Sequence, residues 1–301
     1  MLSLIICTYN RSQYIYQTLK CIAENDTQNI DYEVILVNNN STDNTETECL
    51  RFQQDFPNVP FRYFVEKNQG LSYARNRGIA EAKGEMLVFL DDDAFVGKNY
   101  LQNLQRNIEN YPGLAAFGGK ITPLFESGNA PKWLSKWTYS WVSAIDLGEN
   151  VRFFEGNKYP IGANMGIARS AIEKVGNFNT KLGRNKKNLM AGEEKDIFNR
   201  IKAENGKIYY FPNNEVQHVI PGSRTTDEFI QRLGWGVGAS EKIRTLNISK
   251  LKYFKRIIVE AIKWAASILL FFRYLITFQT EKGTKLLLFR WNVTKGLLSK
   301  K

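Results

Sequence analysis

Short apolar runs alternate with longer amphipathic stretches over the first ninety residues of the chain. The apolar runs have the length of strands and cover residues 2–7, 33–37, 61–65 and 86–90. The stretches between them have the spacing of helices and begin near residues 13, 43 and 70. Strands that alternate with helices in this way predict a mostly parallel, doubly wound α/β sheet.

A cluster of polar side chains follows each apolar run. The clusters occupy residues 8–11, 38–43, 67–70 and 91–93. The carboxyl ends of parallel strands meet at one edge of a sheet, where open α/β sheets hold their ligands. We therefore expect the four clusters to line a nucleotide site at that edge.

The last of these clusters consists of three consecutive carboxylates, Asp91, Asp92 and Asp93, directly after an apolar run. Aspartate has a low propensity for β-strands and is almost never fully buried without a partner. Two interpretations follow: a solvated turn after an edge strand, or a site for a divalent metal ion at the end of a sheet strand.

Common nucleotide-binding fingerprints are missing from the chain. No G-x-G-x-x-G follows the first strand and no G-x-x-x-x-G-K-[ST] occurs, which argues against dinucleotide oxidoreductases and P-loop NTPases. A metal on the Asp triplet, with Arg75 or Arg77 near a helix start, could neutralise a diphosphate instead. A solvated helix face is the alternative role for these arginines.

The four polar clusters together resemble the motifs of family 2 glycosyltransferases of the GT-A fold. The matching segments are T-Y-N-R at residues 8–11, V-N-N-N-S-T-D at 37–43, N-Q-G-L-S-Y-A-R-N-R-G at 68–78 and D-D-D at 91–93. The resemblance continues through residues 131–134, 162–169, 175–178, 182–184 and 192–196, and so covers roughly residues 2–240. It implies an inverting, metal-dependent enzyme that uses a nucleotide-sugar donor.

The resemblance also assigns a general base. In the family an aspartate of a G-E-D-x-E pattern deprotonates the acceptor hydroxyl, and Glu194 occupies that position here. Because glutamate replaces aspartate, Glu193 and Asp196 stay open as alternatives. Three acidic residues at a helix start would also simply complement the helix dipole.

His218 is the one histidine of the chain and lies in a strand-like run. A lone histidine in a strand is more often a core or edge residue, but the resemblance implies that it joins the triplet on the metal. Asp93 is then expected as the direct ligand, and Asp91 as a ligand or ribose contact. Such mixed ligation suits Mn²⁺ somewhat more than Mg²⁺.

The resemblance also implies which residues bind the nucleotide sugar: Thr8, Tyr9, Asn10, Arg11, Asn39, Asp43, Gly70, Arg75, Asp91, Asp92 and Asn164. Within this set the residues of the first two clusters would shape the nucleoside pocket, and Asn164 would lie nearer the donor sugar. Asn39 stands where the family usually has an aspartate that contacts uracil. UDP is the carrier that the resemblance favours.

The positive charge of the chain is concentrated near its end. The 301 residues carry a net charge of +11, and residues 242–301 hold 14 Lys or Arg against two Glu. A nucleic-acid enzyme would spread basic charge around its cleft, so no nucleic-acid partner is expected. Three scattered cysteines and an N-terminus that begins as a strand favour a cytoplasmic setting.

Residues 252–276 form two contrasting faces when they are placed on a helical wheel. The polar side holds Lys252, Lys255, Arg256, Glu260, Lys263, Ser267 and Arg273. The apolar side holds Phe254, Ile257, Ile258, Ala261, Trp264, Ile268, Phe272, Leu275 and Ile276. The pattern is typical of an interfacial membrane helix, or of a helix packed on its own protein.

These observations together predict a GT-A catalytic domain at residues 1–240 and a basic amphipathic helical tail at 241–301. The nucleotide-binding half would be residues 1–95 and the acceptor half 96–240. We expect a lipid-linked glycan acceptor, with residues 250–298 on the inner face of the cell membrane. Gly234 replaces the arginine of the processive Q-x-x-R-W motif, and no run of about twenty apolar residues occurs, so one sugar per encounter is expected.

Two other classes of protein remain as alternatives. A sugar-phosphate nucleotidyltransferase shares the sheet and the metal chemistry, but it needs a glycine-rich basic loop where this chain has residues 8–11. A non-catalytic nucleotide-sugar binding scaffold on the membrane would keep the fold and the tail. Such a protein could lose its carboxylates, and this chain retains them.

Overall fold

The structure, a computed structural model, describes residues 1–182 and 192–299. Packing divides the chain into two compact units. The described part of the first unit comprises residues 1–123, 143–182 and 192–219, and that of the second comprises 124–142 and 220–299. The predicted boundary at residue 240, between the catalytic domain and the tail, and the predicted boundary at residue 95, between the nucleotide-binding and acceptor halves, stay predictions.

The strands predicted from the apolar runs are present with small changes in their ends. The strands are β1 (Leu2–Thr8), β2 (Tyr32–Asn38), β3 (Phe61–Val65), β4 (Met86–Asp91), β5 (Ala94–Val96), β6 (Leu114–Phe125), β7 (Arg152–Phe153), β8 (Asn164–Ala168) and β9 (Lys207–Ile220). The helices are α1 (Ser12–Ala23), α2 (Thr45–Asp55), α3 (Leu71–Glu81), α4 (Tyr100–Asn110), α5 (Arg169–Val175), α6 (Glu193–Ala203), α7 (Asp227–Leu246), α8 (Lys250–Ile276) and α9 (Thr280–Leu297).

One sheet with the strand order β3-β2-β1-β4-β8-β6-β9-β5 organises the strands, and β7 pairs with β9. The first four strands are parallel, and β8 pairs with β4 in the antiparallel direction. The predicted α/β architecture with a mostly parallel central sheet is confirmed. Because β1 to β4 are parallel, the polar residues after each of them lie along one sheet edge.

Alternating residues of the parallel strands face two separate layers of helices. Leu4 and Ile6 of β1 belong to a core that includes Ile15 and Leu19 of α1. Ile5 lies on the opposite side of the sheet, in a second core formed with helices α3, α5 and α6. Both sides of these strands are buried, which explains why they are continuous apolar runs rather than alternating ones.

The second unit is built mainly from α7, α8 and α9, which pack on one another. Aromatic side chains from residues 124–142 contribute to its core, since the ring of Trp141 stacks on Phe289 with centroids 4.4 Å apart. Within the described residues, no helix is both long enough and apolar enough to cross a bilayer.

Candidate active site

The end of β4 carries the Asp triplet, and the pairing of β5 with β9 brings a histidine to it. Asp91 is the last residue of β4, and β5 begins at Ala94. Ala94 lies opposite His218 in the antiparallel register. The Val219 N–H also donates a hydrogen bond to the Asp93 carbonyl oxygen at 2.9 Å. The sheet therefore fixes the histidine beside the carboxylates.

Asp91, Asp93 and His218 form a compact group of metal-ligating side chains. One ligand atom from each lies within 4.8 Å of the other two. The Nε2 atom of His218 is 3.0 Å from Oδ1 of Asp93 and 4.0 Å from Oδ2 of Asp91. Asp93 and His218 are buried, and Asp91 is half-buried. The structure thus brings together the three residues that the sequence assigns to a metal.

The surroundings of His218 fit a metal ligand. Its side chain is 1% exposed, and neither ring nitrogen has a hydrogen-bond partner among the described residues. The Nε2 contact with Asp93 is short, but it lacks the geometry of a hydrogen bond. Buried polar atoms nearly always have a hydrogen-bond partner or a ligand, so these two ring nitrogens are suited to binding a metal ion. Two carboxylates and one imidazole suit Mn²⁺ or Mg²⁺.

Residues after β1 reach the same carboxylates. Thr8, the last residue of β1, is buried, and Tyr9 and Arg11 are half-buried. The Arg11 guanidinium lies 3.8 Å from Oδ1 of Asp92 and 3.6 Å from Oδ2 of Asp93. Burial, reinforced by the charge of Asp93, raises the pKa of Asp92 to about 8. The first motif and the triplet are therefore parts of one site.

The side chain of Asn39 organises the loops after β2 and β3. Its Nδ2 donates hydrogen bonds to the carbonyl oxygens of Glu66 and Asn68, at 3.0 and 2.7 Å. Its Oδ1 accepts from the Gly70 N–H at 2.8 Å and from Gln69 Nε2 at 3.2 Å. All four bonding positions of the amide are used, so the side chain stabilises the loop that leads into α3.

The loops after β1 and β2 are joined by Asn10 and Asp43. The Oδ1 atom of Asn10, a residue with φ of 52°, accepts from the Thr42 N–H at 2.8 Å. The Asp43 carboxylate accepts from the backbone N–H groups of Ser12 and Thr45, both at 3.1 Å. These bonds fix the starts of α1 and α2, which flank the sheet edge where the triplet lies.

Arg75 of α3 links two of the candidate catalytic carboxylates. Its Nη1 lies 3.2 Å from Oε1 of Glu193, and its Nη2 donates to Oε1 of Glu194 at 3.1 Å. The same Glu194 oxygen accepts the Gly162 N–H at 2.9 Å. Arg75 is 2% exposed. The sequence left two roles open for Arg75, a contact with a diphosphate and a place on a solvated helix face. In the structure Arg75 is buried and forms ion pairs with two glutamates.

The surroundings of Glu194 bring its pKa close to neutral pH. Burial raises its pKa, the charge of Arg75 lowers it, and the charges of Glu193 and Asp91 raise it further, to about 7. A carboxylate with a pKa near 7 is about half ionised at neutral pH, so it is present in the form that can accept a proton there. The charge of Asp91, one of the candidate metal ligands, is among the causes of this raised pKa.

The structure gives Asp196 and Asn164 different surroundings. Asp196 forms an ion pair with Arg200 one turn further along α6, at 2.9 Å. Asn164 is fully buried at the start of β8, where its Oδ1 accepts from the Tyr100 hydroxyl at 2.7 Å. Its Nδ2 donates to two backbone carbonyl oxygens. These contacts of Asp196 and Asn164 stabilise the fold around the site.

Gly162 is a site residue that the motif comparison did not single out. A Cβ atom there would lie 2.1 Å from Nη2 of Arg75 and 2.2 Å from Oε1 of Glu194. Only glycine allows the backbone to approach the ion pair so closely. Residues 162–169 match a motif of the family, so the sequence marks Gly162 as part of a motif. It does not show that Arg75 and Glu194 are the side chains that pack against this glycine.

Comparison with known proteins places these features in a family. Residues 3–176 match the model described as "Glycosyl transferase family 2". A glucosyl-dolichyl phosphate glucuronosyltransferase of Haloferax volcanii is 23% identical over 249 residues, which are 81% of this chain and 77% of that protein.

Another relative is the GalNAc(5)-diNAcBac-PP-undecaprenol beta-1,3-glucosyltransferase of Campylobacter jejuni, 35% identical over 31% of this chain and 29% of its own length. Several further curated relatives are likewise matched over 34% to 39% of this chain and 11% to 36% of their own length. For these proteins the similarity is confined to a shared part.

Solved structures show the same fold. The mannosyltransferase PcManGT of Pyrobaculum calidifontis, in complex with GDP-Man and Mn²⁺, has a TM-score of 0.64 at 17% identity and covers 100% of this chain and 88% of its own. GalNAc-T7, with UDP, GalNAc and Mn²⁺, has a TM-score of 0.57 at 18% identity and covers 85% and 54%. The fold is GT-A, with a helical C-terminal region, and the chain belongs to glycosyl transferase family 2.

Proposed function

We propose that this protein is an inverting glycosyltransferase that moves one sugar from a nucleotide-diphosphate sugar to a hydroxyl of a lipid-linked glycan. The observation that carries the proposal is the buried pairing of Arg75 with Glu194, a carboxylate whose pKa is also raised by the charge of Asp91, a member of the group formed by Asp91, Asp93 and His218. A base and a set of metal ligands on one sheet edge are what such a transfer requires.

The proposed donor site lies along the carboxyl ends of β1, β2 and β4. Residues 8–11, 39–43 and 70 shape it, Arg11 and Asp92 face the donor, and UDP is the proposed carrier. Related folds support the donor class, because PcManGT was solved with GDP-Man and GalNAc-T7 with UDP. Arg11 supports it physically, since it is a half-buried cation beside the triplet.

Asp91, Asp93 and His218 would hold Mn²⁺ or Mg²⁺. Such an ion, when bound, neutralises charge on a diphosphate leaving group. The mixed oxygen and nitrogen ligands favour Mn²⁺. Both structural relatives named above were solved with Mn²⁺, which agrees with this ligand set.

Glu194 is the proposed general base. Its carboxylate accepts the proton of the acceptor hydroxyl while the oxygen attacks the anomeric carbon and the bond to the diphosphate breaks on the opposite face. This single displacement inverts the configuration. Arg75 is a positioning residue, because its bonds to Glu193 and Glu194 and the Gly162 N–H hold the carboxylate in one orientation.

The proposed acceptor is lipid-linked and belongs to polysaccharide or cell-envelope synthesis. Two relatives carry names that refer to dolichyl phosphate and to an undecaprenol-linked glycan. The excess of basic charge in residues 242–301 suits an anionic membrane surface. We place the enzyme peripherally on the inner face of the cell membrane, with residues 250–298 as the segment that meets it.

A donor screen tests the proposal. Purified full-length protein is incubated with UDP-sugars and GDP-sugars and Mn²⁺, with and without lipid-linked acceptors, and release of the nucleoside diphosphate is measured. Acceptor-dependent release from one donor, with an inverted anomeric centre in the product, is expected for the wild type. No acceptor-dependent release from any donor, or a product that retains the configuration, would contradict the proposal.

A further inference from the structure

The helix α8 packs with its polar side inward. Arg256, Glu260 and Ser267, which lie on one side of the helix, are 9%, 2% and 6% exposed. An amphipathic helix on a water-soluble protein normally buries its apolar side and exposes its polar side. The orientation of α8 within the second unit is the reverse.

A network of ion pairs fixes this orientation. The Nε of Arg256 lies 3.1 Å from Oε2 of Glu241 on α7, and its Nη1 lies 2.9 Å from Oε2 of Glu260. The Nη1 of Arg290 on α9 lies 3.0 Å from Oε1 of Glu260. Rotating α8 about its axis would leave buried charges without partners, which is strongly unfavourable. The Trp264 Nε1–H also donates to α9, through Thr294 Oγ1 at 2.9 Å.

The side of α8 that faces away from this network is a continuous apolar surface, here named the outer face. Its members have large side chains that are 41% to 77% exposed: Leu251, Phe254, Ile258, Val259, Ile262, Ile268, Leu269, Phe272, Leu275 and Ile276. Single exposed apolar residues are normal on proteins, but a stripe of this length marks an interaction site. A helix of 27 residues is about 40 Å long.

The charges around the outer face are of one sign. Glu260 is the only acidic residue of α8 and it is buried, whereas Lys252, Lys255, Lys263 and Arg273 are exposed. All four of these basic residues lie along one flank of the outer face. Apolar side chains next to basic ones complement a bilayer with anionic headgroups.

A second copy of the chain is a poorer partner for the same surface. Two copies of α8 joined along their outer faces would bring together basic side chains from both helices, without an exposed acidic partner on either. Helix pairs of this kind depend on opposite charges beside the apolar seam. The charge pattern therefore favours a membrane over self-association.

We propose that the outer face of α8 is the bilayer-docking surface of this protein. The helix lies in the membrane plane with its apolar residues at the acyl boundary, and the basic flank contacts anionic headgroups. This inference rests on the membrane setting of the proposed function and names the surface that meets the membrane.

Co-sedimentation of the full chain with vesicles tests the inference. Vesicles of phosphatidylglycerol and phosphatidylcholine are compared with vesicles of phosphatidylcholine alone. The double variant Ile262→Glu/Leu269→Glu is expected to lower partitioning at least about tenfold, because two deeply inserted apolar chains become charged. Lys255→Gln/Arg273→Gln is expected to abolish the preference for anionic vesicles. The matched control is Leu50→Glu/Val65→Glu, at exposed apolar positions of the first unit.

Each outcome decides the inference. Unchanged vesicle binding by the Ile262→Glu/Leu269→Glu variant overturns it, and so does conversion of a wild-type dimer to a monomer by this variant with vesicle binding intact. Helicity by circular dichroism checks folding, and Ile262→Ser/Leu269→Ser replaces the charged variant if that one misfolds. Release of nucleoside diphosphate without vesicles reports the proposed function separately, so either proposal can fail alone.

Discussion

Glu194 and Asp196 lie two positions apart in α6, yet their surroundings differ completely. Glu194 shares one buried guanidinium with Glu193 and accepts a backbone N–H, whereas Asp196 pairs with Arg200 along its own helix. These different surroundings are the reason why we propose Glu194, among the three carboxylates that the sequence offered, as the base.

Replacement of the base separates these residues experimentally. Glu194→Gln removes the proton acceptor, and we expect kcat to fall by about 10²- to 10⁴-fold. Donor affinity should be nearly unchanged, because the amide keeps the shape of the side chain. Steady-state kinetics and donor titration check both expectations. Asp196→Asn is the matched control, and a comparable loss of kcat in that variant would contradict the assignment.

The pH dependence of activity tests the role of Arg75 and Glu193. The base acts when ionised, so kcat/KM should rise with pH through the pKa of Glu194, about 7. The Arg75 charge lowers that pKa and the Glu193 charge raises it. Arg75→Gln should therefore move the acidic limb to higher pH, and Glu193→Gln should move it to lower pH. Arg75→Lys should restore much of the wild-type profile.

A purely structural role for Arg75 predicts something different. In that case the variants would lose kcat or stability, but the acidic limb of the profile would stay where it is in the wild type. The pH profile thus distinguishes a positioning residue from a residue that only holds the fold together.

The sequence identified Asp91, Asp93, His218 and Glu194 as site residues because their spacing matches a family pattern. It did not reveal the pairing of Arg75 with Glu193 and Glu194. The partners are more than a hundred positions apart, and only the packing of α3 against α6 brings them together. The roles of the nucleotide-binding residues remain predictions, and Asn39 shows why, since its side chain is used within the loops.

The positions of the strands and helices could be predicted from the apolar pattern, but the side of α8 that is buried could not. A helical wheel separates polar from apolar positions without stating which side is buried. Glu241 on α7 and Arg290 on α9 decide the matter by pairing with Arg256 and Glu260. The sequence alone offered packing or membrane contact as alternatives, whereas the structure shows packing through one side and exposure of the other.

The ion-pair network of the second unit should be costly to break. Glu260→Gln removes the carboxylate that Arg256 and Arg290 share, so that Arg256 is left with Glu241 alone, and we expect the free energy of unfolding to fall by about 3–5 kcal/mol. Urea denaturation followed by tryptophan fluorescence measures the change. The exposed Glu281→Gln is the control, and equal stability of the two variants would show that the network contributes nothing.

The loop before β8 should not tolerate a larger residue at position 162. In Gly162→Ala the added methyl group collides with Arg75 and Glu194, so we expect kcat to fall at least about tenfold as the base is displaced. Gly97→Ala is the control, because a Cβ at Gly97 meets no atom within 4 Å. Wild-type kinetics in both variants would contradict the close approach.

The chain combines a nearly neutral stretch, residues 1–241, with a strongly basic one, residues 242–301. Residues 1–241 carry 27 basic and 28 acidic side chains, so the net charge of +11 arises in the last sixty residues. This uneven distribution was readable from the sequence, and it is one of the grounds on which we propose a lipid-linked acceptor.

Donor turnover should depend on a divalent metal ion, because Asp91, Asp93 and His218 are proposed to hold one. The enzyme is stripped with a chelator, and release of nucleoside diphosphate is measured against added Mn²⁺ for the wild type and for Asp93→Asn. We expect no turnover without metal, full recovery with Mn²⁺ in the wild type, and loss of that recovery in the variant. Turnover that persists without metal, or a variant that responds to Mn²⁺ like the wild type, would contradict this expectation.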